Sequence, residues 1–253
     1  MISTKPTQLT IGLILLLLLA LSGCSTTPKL APDSEPPLRT VENTVSPGAK
    51  PQAVISDPLE GFNRGAYRFN YYFDKYLFLP VVSGYQFIVP DYAEDRVSDF
   101  MDNVGEIQNF INATLQLKPR KMAITLHRFM VNTIFGIGGL WDIATLGEVH
   151  AQKEDFGQTL GHYGVGNGPY LVLPVFGPSN LRDTTGLVAD SMMFSAIDPL
   201  NFDNNDLQIP YTALKAIDTR KRVNFRYYGT GNPFEYELIR LLYTKKRDLE
   251  IAE

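Results

Sequence analysis

Cysteine is almost missing from this chain: Cys24 is the only one in 253 residues, so no intramolecular disulfide can form. Histidine is scarce as well. His127, His150 and His162 lie twelve or more residues apart and, with a single cysteine, make no metal-ligand motif. Glu148, His150, Glu154 and Asp155 read as a solvated turn. The nearest approach to a nucleophile elbow, Gly177-Pro178-Ser179-Asn180-Leu181, lacks the final glycine and puts proline before the serine. No Gly-Lys-Ser/Thr follows the glycines, and Gly164-Val-Gly166-Asn-Gly168 lacks dinucleotide-fingerprint spacing. These absences argue against an enzyme and against a cofactor or metal. Positive charge is not in excess either: 23 basic residues face 27 acidic ones, a poor basis for binding nucleic acid. Strand signals are few, the best being Tyr170–Leu173, and no internal repeat is visible. A mainly α fold with little or no sheet is expected.

What is present begins with Lys5 and an apolar run from Leu9 to Leu21. Its 13 residues fall short of the roughly 20 that a spanning helix needs, and the order is that of a secretory signal. Leu21-Ser22-Gly23-Cys24 resembles the bacterial lipobox, in which the cysteine is acylated, with palmitate for example, and becomes the new N-terminus. Residues 1–23 are thus expected to be removed, and 24–56 to form an acylated, proline-rich flexible tether. Six prolines fall between residues 25 and 54. The body spans 57–243, and 244–253 reads as a charged C-terminal tail. Two or more acyl chains give stable anchoring, and Ser25 after the cysteine favours the outer membrane, periplasmic side.

Within the body, Asp57-Pro58-Leu59-Glu60 carries helix-start signals. In the helix that follows, Leu59, Phe62, Ala66, Phe69, Phe73, Tyr76 and Leu77 share one face. Asn63, Asn70 and Asp74 run along its edge, with Arg64, Arg68 and Lys75 further round. A surface helix with a packed apolar face accounts for this, and so does a helix at a membrane surface or along the path of an amphiphile. A second helical pattern runs from Pro90 to Leu117, with Val97, Phe100, Val104, Ile107, Ile111 and Leu115 at spacings of three and four. Phe129–Leu146 holds one charge, Asp142, but Gly136, Gly138 and Gly139 predict a bend near Phe135 and an apolar return segment. Eleven of the twenty glycines lie between Gly136 and Gly186, which means tight turns or backbone packed where no Cβ fits. Helical patterns also cover Leu181–Phe194 and Tyr211–Tyr228, and Asn232-Pro233-Phe234-Glu235 repeats the first start signal. Arg182 and Asp183, as sequence neighbours on a helix, are each expected to have a separate partner.

Three stretches carry a resemblance: Asp57–Arg64 (DPLEGFNR), Arg128–Asp142 (RFMVNTIFGIGGLWD) and Leu160–Gly186 (LGHYGVGNGPYLVLPVFGPSNLRDTTG). In that order they resemble the MlaA (VacJ) family of outer-membrane lipoproteins in Gram-negative bacteria. The resemblance implies a ring of amphipathic helices lying in the membrane plane around a central amphipathic channel. It implies removal of misplaced phospholipid from the outer leaflet, which maintains lipid asymmetry. The implied partners are the outer-membrane bilayer, a trimeric porin, and a soluble periplasmic lipid carrier (MlaC-like) that feeds an inner-membrane ABC transporter. On this reading Asn63, Asn70 and Asp74 line the channel, Gly136, Gly138 and Gly139 form a hinge or gate, and Arg182 contacts lipid phosphate. A structural lipoprotein that stabilises a porin or the envelope would need similar apolar surface. The substitution Cys24→Ala is expected to abolish incorporation of radiolabelled palmitate in growing cells; undiminished labelling would rule out the lipobox assignment.

Overall fold

A computed structural model describes residues 55–202 and 207–253, all of which belong to one unit running from Leu38 to Glu253. Cys24, the signal segment and nearly all of the tether lie outside the described residues. The first helix among the described residues, α1 (Glu60–Phe73), starts later than its sequence signal implies. Leu59 stands at the N-cap with no side-chain cap. The Asp57 carboxylate is engaged instead by Asn63 (2.7 Å), the Tyr236 hydroxyl (2.5 Å) and Arg240 (3.0 Å). A single π-helical turn, Asp74–Phe78, leads directly into α2 (Leu79–Ile88), which has Pro80 in its first turn. Val89, extended ahead of Pro90, ends α2.

The 25-residue α3 (Asp91–Leu115) and α4 (Pro119–Ile134) are joined by a short connection in which Leu117 is left-handed (φ 55°). They pack closely against each other along their lengths. After the glycine bend come the short α5 (Ile143–Leu146), then α6 (Phe156–His162), capped by the Asp155 side chain. Strands β1 (Tyr170–Leu173) and β2 (Gly177–Asn180) pair antiparallel, with Tyr170 opposite Asn180 and Leu173 opposite Gly177. Asn180 caps α7 (Leu181–Ile197), which ends at left-handed Asp198. The remaining helices are α8 (Gln208–Arg222) and α9 (Glu235–Ala252).

Two sequence expectations change here. The helical pattern over Tyr211–Tyr228 breaks at Val223, because Arg220 donates to the carbonyls of Val223 and Phe225 and turns the chain inward. Phe225 and Tyr227 then pack against a small apolar core of Ala66, Tyr67, Tyr170, Val172 and Tyr236. Segment 244–253 is not a separate tail but the second half of α9, and it contributes the buried Arg247. The core itself is rich in tyrosine. Tyr67 makes edge-on contacts with Tyr227, Tyr228 and Tyr236 at centroid distances of 4.9, 5.4 and 5.8 Å, while its hydroxyl donates to Glu235 (2.6 Å).

Glycine settles how α6 meets α7. A Cβ on Gly186 would lie 2.3 Å from the Gly157 nitrogen, so the two backbones touch there. Gly186→Ala is expected to cost about 2–3 kcal/mol through this overlap. Gly65→Ala, at an exposed helical position with nothing within 4 Å, should be neutral or stabilise by up to about 1 kcal/mol. Thermal unfolding of both variants in detergent checks the contrast, and equal midpoints would refute the close-approach account.

Candidate functional site

The helices turn their polar faces inward. Among the described residues 22 polar or charged side chains are buried against ten hydrophobic ones, the reverse of a water-soluble interior. On α1, Asn63, Ala66, Tyr67 and Asn70 are buried, whereas Phe62, Phe69 and Tyr72 are exposed. Phe87 and Ile88 at the end of α2 are 91% and 78% exposed. On α4, Leu126, Met130 and Ile134 form an exposed row at spacings of four, while Thr125, Arg128 and Asn132 are buried. The bend continues the apolar surface with exposed Phe135 and Ile137, and α7 adds Leu187, Val188 and Met192. A surface of this kind is costly in water and matches a hydrocarbon solvent. Among the described residues, no helix is long and apolar enough to cross a membrane.

Every buried polar group needs a partner, and four clusters supply most of them. In the first, Asn63 Nδ2 donates to the Tyr170 carbonyl (2.9 Å) and its Oδ1 accepts from Val172 N–H (2.8 Å). Two turns on, Asn70 repeats the contact, donating to Leu173 O (2.9 Å) and accepting from Val175 N–H (2.7 Å). Asp74 takes both Nε and Nη2 of Arg220, at 2.6 and 2.8 Å. The second cluster centres on Arg128, which donates to Glu106 (2.6 Å), Asp142 (3.0 Å), Thr145 Oγ1 (3.0 Å) and the Val149 carbonyl (2.5 Å). Asn132 braces the same turn through Asp142 and Ala144 N–H. Burial pushes the Asp142 carboxyl up, but hydrogen bonds from Thr145 and Arg128 outweigh it and hold its pKa below the ordinary range.

In the third cluster, Glu154 is closed to solvent and accepts from Gln116 (2.7 Å) and Lys121 (2.7 Å). Thr159, Asn112 and Asp190 continue the chain of hydrogen bonds. Burial raises the pKa of Asp190, with Phe156 N–H and Asn112 only partly offsetting it. The fourth joins α9 to α6 and α7. Arg247 donates to both oxygens of Asp155 (2.8 Å each) and to both of Asp183 (2.9 and 3.1 Å). Asp183 also accepts from Asn180, Arg182 and the Tyr243 hydroxyl. Burial opposes its charge, yet Arg247 prevails and keeps the Asp183 pKa below the ordinary carboxylate value.

Several sequence expectations are corrected by this geometry. Of the apolar stripe of α1, Leu59, Phe62 and Phe69 face outward and Ala66 faces the core, while the polar row faces inward. Asn63, Asn70 and Asp74, expected to line a channel, are buried and fully engaged in holding the β1–β2 hairpin and α8. Arg182 is buried: its Nη1 donates to the Val165 carbonyl (3.4 Å), the separate partner expected, but its Nε also donates to its neighbour Asp183 (3.0 Å), so the guanidinium is engaged inside the protein. The long guanidinium folds back at the first turn of α7, where the i,i+1 rule for helix faces does not bind. The glycine bend lies where expected, but it is tightly held. A Cβ on Gly136 would lie 2.2 Å from the Trp141 carbonyl, and one on Gly139 2.4 Å from Asn103. The N–H groups of Gly138, Gly139 and Trp141 bond to the carbonyls of Thr133, Asn132 and Gly136, which leaves the bend internally satisfied. The three histidines are exposed, and Ser179 Oγ meets Thr184 Oγ1 at 2.9 Å. Reasoning from sequence missed Glu106, Glu154 and Arg247 as interior groups; only the position of Arg128 and Asn132 four apart on one helix face hinted at them.

Asp183 generates a pH prediction. Its folded pKa lies below its unfolded value of about 3.9. The stability it contributes is therefore present above about pH 4 and lost as pH falls through the folded value. Arg247→Met removes the cation shared by Asp155 and Asp183 and leaves Asp183 with Arg182 alone, at a cost of about 3–5 kcal/mol at pH 7. Asp183 should then titrate higher than in the wild type, so the gap to wild type narrows as pH falls from 7 toward about 4. Thermal unfolding across that range is the measurement; a gap independent of pH would contradict the assignment.

A family model described as MlaA lipoprotein matches residues 55–250. An uncharacterized protein of Rickettsia prowazekii (strain Madrid E) is 40% identical over 167 residues, which are 66% of this chain and 65% of that one. The intermembrane phospholipid transport system lipoprotein MlaA of Escherichia coli (strain K12) is 43% identical over 139 residues, 53% of this chain and 55% of its own. The chain thus aligns with somewhat less than two thirds of the length of these relatives. A solved structure reported as "Structural basis for maintenance of bacterial outer membrane lipid asymmetry" superimposes with a TM-score of 0.63 at 32% identity, covering 78% of this chain and 100% of that one.

Proposed function

The chain belongs to the MlaA lipoprotein family, and on that premise we propose that it is an outer-membrane lipoprotein, anchored through Cys24 on the periplasmic side. It removes mislocalised phospholipid from the outer leaflet and passes it toward the periplasm. The observation that carries this reading is the inverted distribution of side chains: Phe62, Phe87, Met130, Ile134 and Phe135 outside, and Glu106, Arg128, Asp183 and Arg247 inside. Apolar exterior residues hold such a protein at a fixed depth in lipid tails. A polar interior gives a charged headgroup a lower-energy surroundings than hydrocarbon does. Similarity to the E. coli phospholipid transport lipoprotein and to the structure solved for outer-membrane lipid asymmetry supports the same activity.

In this reading a trimeric porin provides a protein wall beside the apolar exterior, and a soluble periplasmic carrier feeding an inner-membrane ABC transporter takes the lipid away. The bend at Gly136–Gly139, with exposed Phe135 and Ile137 on it, is the segment proposed to gate the path. Its closed hydrogen bonding makes it a discrete latch rather than a floppy loop.

The test is outer-leaflet phospholipid exposure on intact cells, read with a membrane-impermeant amine label. Deletion should raise labelling, and the wild-type chain should reverse it while Cys24→Ala does not. Unchanged labelling on deletion, with porin levels disturbed instead, would replace lipid removal with a structural role.

A further inference from the structure

At the start of α4 lies a cavity of about 470 Å³, within the range of small-ligand sites. Three of its lining residues are cations, Lys118, Arg120 and Lys121; Ile124, Gln152 and Glu253 also line it. One carboxylate serves two of the cations: Glu154 lies 2.7 Å from Lys121 Nζ and 3.5 Å from Lys118 Nζ. Its other oxygen is taken by Gln116. Arg120 is exposed and has no carboxylate partner among the described residues. Glu253 lines the same cavity, yet among the described residues it pairs with none of the three cations.

This arrangement works against local preference. Lys118 is the N-cap of α4, without a side-chain cap, and Arg120 and Lys121 follow in the first turn. Cations there oppose the positive end of the helix macrodipole. Desolvation adds to the strain on Lys118, whose ammonium is held below the ordinary lysine pKa. Glu154 offsets one charge only. A conflict of this kind, placed around an open cavity instead of filled by packing, is the mark of a group that meets a ligand. The ligand that relieves it is an oxyanion with several acceptors, and phosphate is the fit for clustered Arg and Lys. Glu253 adds a second requirement. A purely anionic ligand would meet its carboxylate unfavourably, whereas one that also carries an amine would not.

We infer that this cavity binds a zwitterionic phosphodiester headgroup, with the phosphate on Arg120 and Lys121, the amine toward Glu253, and Ile124 against the glycerol. The inference rests on the lipid-removal reading for the source of the ligand; the phosphate chemistry alone is shared with free phosphate.

The experiment is calorimetric titration of the purified full chain in detergent with glycerophosphoethanolamine, glycerol 3-phosphate and inorganic phosphate in separate arms. Glycerophosphoethanolamine should bind best. Arg120→Ala, at an exposed position, should weaken it about tenfold, and Ile124→Trp should block it by filling the cavity with every charge retained. Glu253→Gln should weaken glycerophosphoethanolamine and leave glycerol 3-phosphate unchanged or tighter. Equal binding of inorganic phosphate would make this a free-anion site and overturn the assignment. Binding indifferent to Arg120→Ala and Ile124→Trp would overturn it too. Either failure leaves the cell-surface labelling result standing, while failure of that labelling removes the lipid source without altering these titrations.

Discussion

A polar atom removed from water must find its partner inside the protein, and that requirement decides where most elements of this structure lie. Asn63 and Asn70 place the hairpin on α1. Asp74 and Arg220 bring α8 to the end of the same helix. Arg128 gathers α3, α4 and the segment after the glycine bend, and Arg247 ties α9 to the helices on either side of the hairpin. The apolar core, by contrast, is a small group of tyrosines and a few aliphatic residues. Ordinary hydrophobic burial would not select this arrangement, but matched donors and acceptors do, because breaking a buried pair strands a polar group or a charge.

That organisation suits a body whose exterior is in contact with lipid. Where the surroundings are as apolar as leucine, burial of leucine gains little, and packing and hydrogen bonding carry the specificity. The same groups that determine the fold also create a polar interior in which a headgroup is better solvated than in hydrocarbon. Structure and proposed activity therefore draw on one set of residues, and this is why so few side chains stand out as a separate site.

Much of the fold was legible in the sequence. The strand at Tyr170–Leu173 is where β-branched and aromatic residues pointed. The long α3 follows its spacing of three and four, and the bend after Phe135 follows its glycines. What periodicity does not contain is the sign of the stripe. An amphipathic helix reads the same whether water or lipid lies outside, so the apolar face of α1 was assignable to a core or to a membrane. Nor does local sequence reveal partners far along the chain. Asp57 looks like a helix cap until Tyr236 and Arg240 arrive, and segment 244–253 looks like a solvated tail until Arg247 meets Asp155 and Asp183. Both misreadings have the same cause: a strong long-range ion pair overrides a weak local preference.

The two asparagines on α1 have a further effect. A two-stranded hairpin is marginal alone and leaves open edges to which other chains can add. Here the side-chain amide of Asn63 meets the carbonyl of Tyr170 and the N–H of Val172 as a neighbouring strand would, and Asn70 does so for Leu173 and Val175. A helix thereby performs the task of a third strand. The backbone edge of β1 is sealed by amides that no incoming strand can displace without uncovering α1, which protects an otherwise adhesive edge.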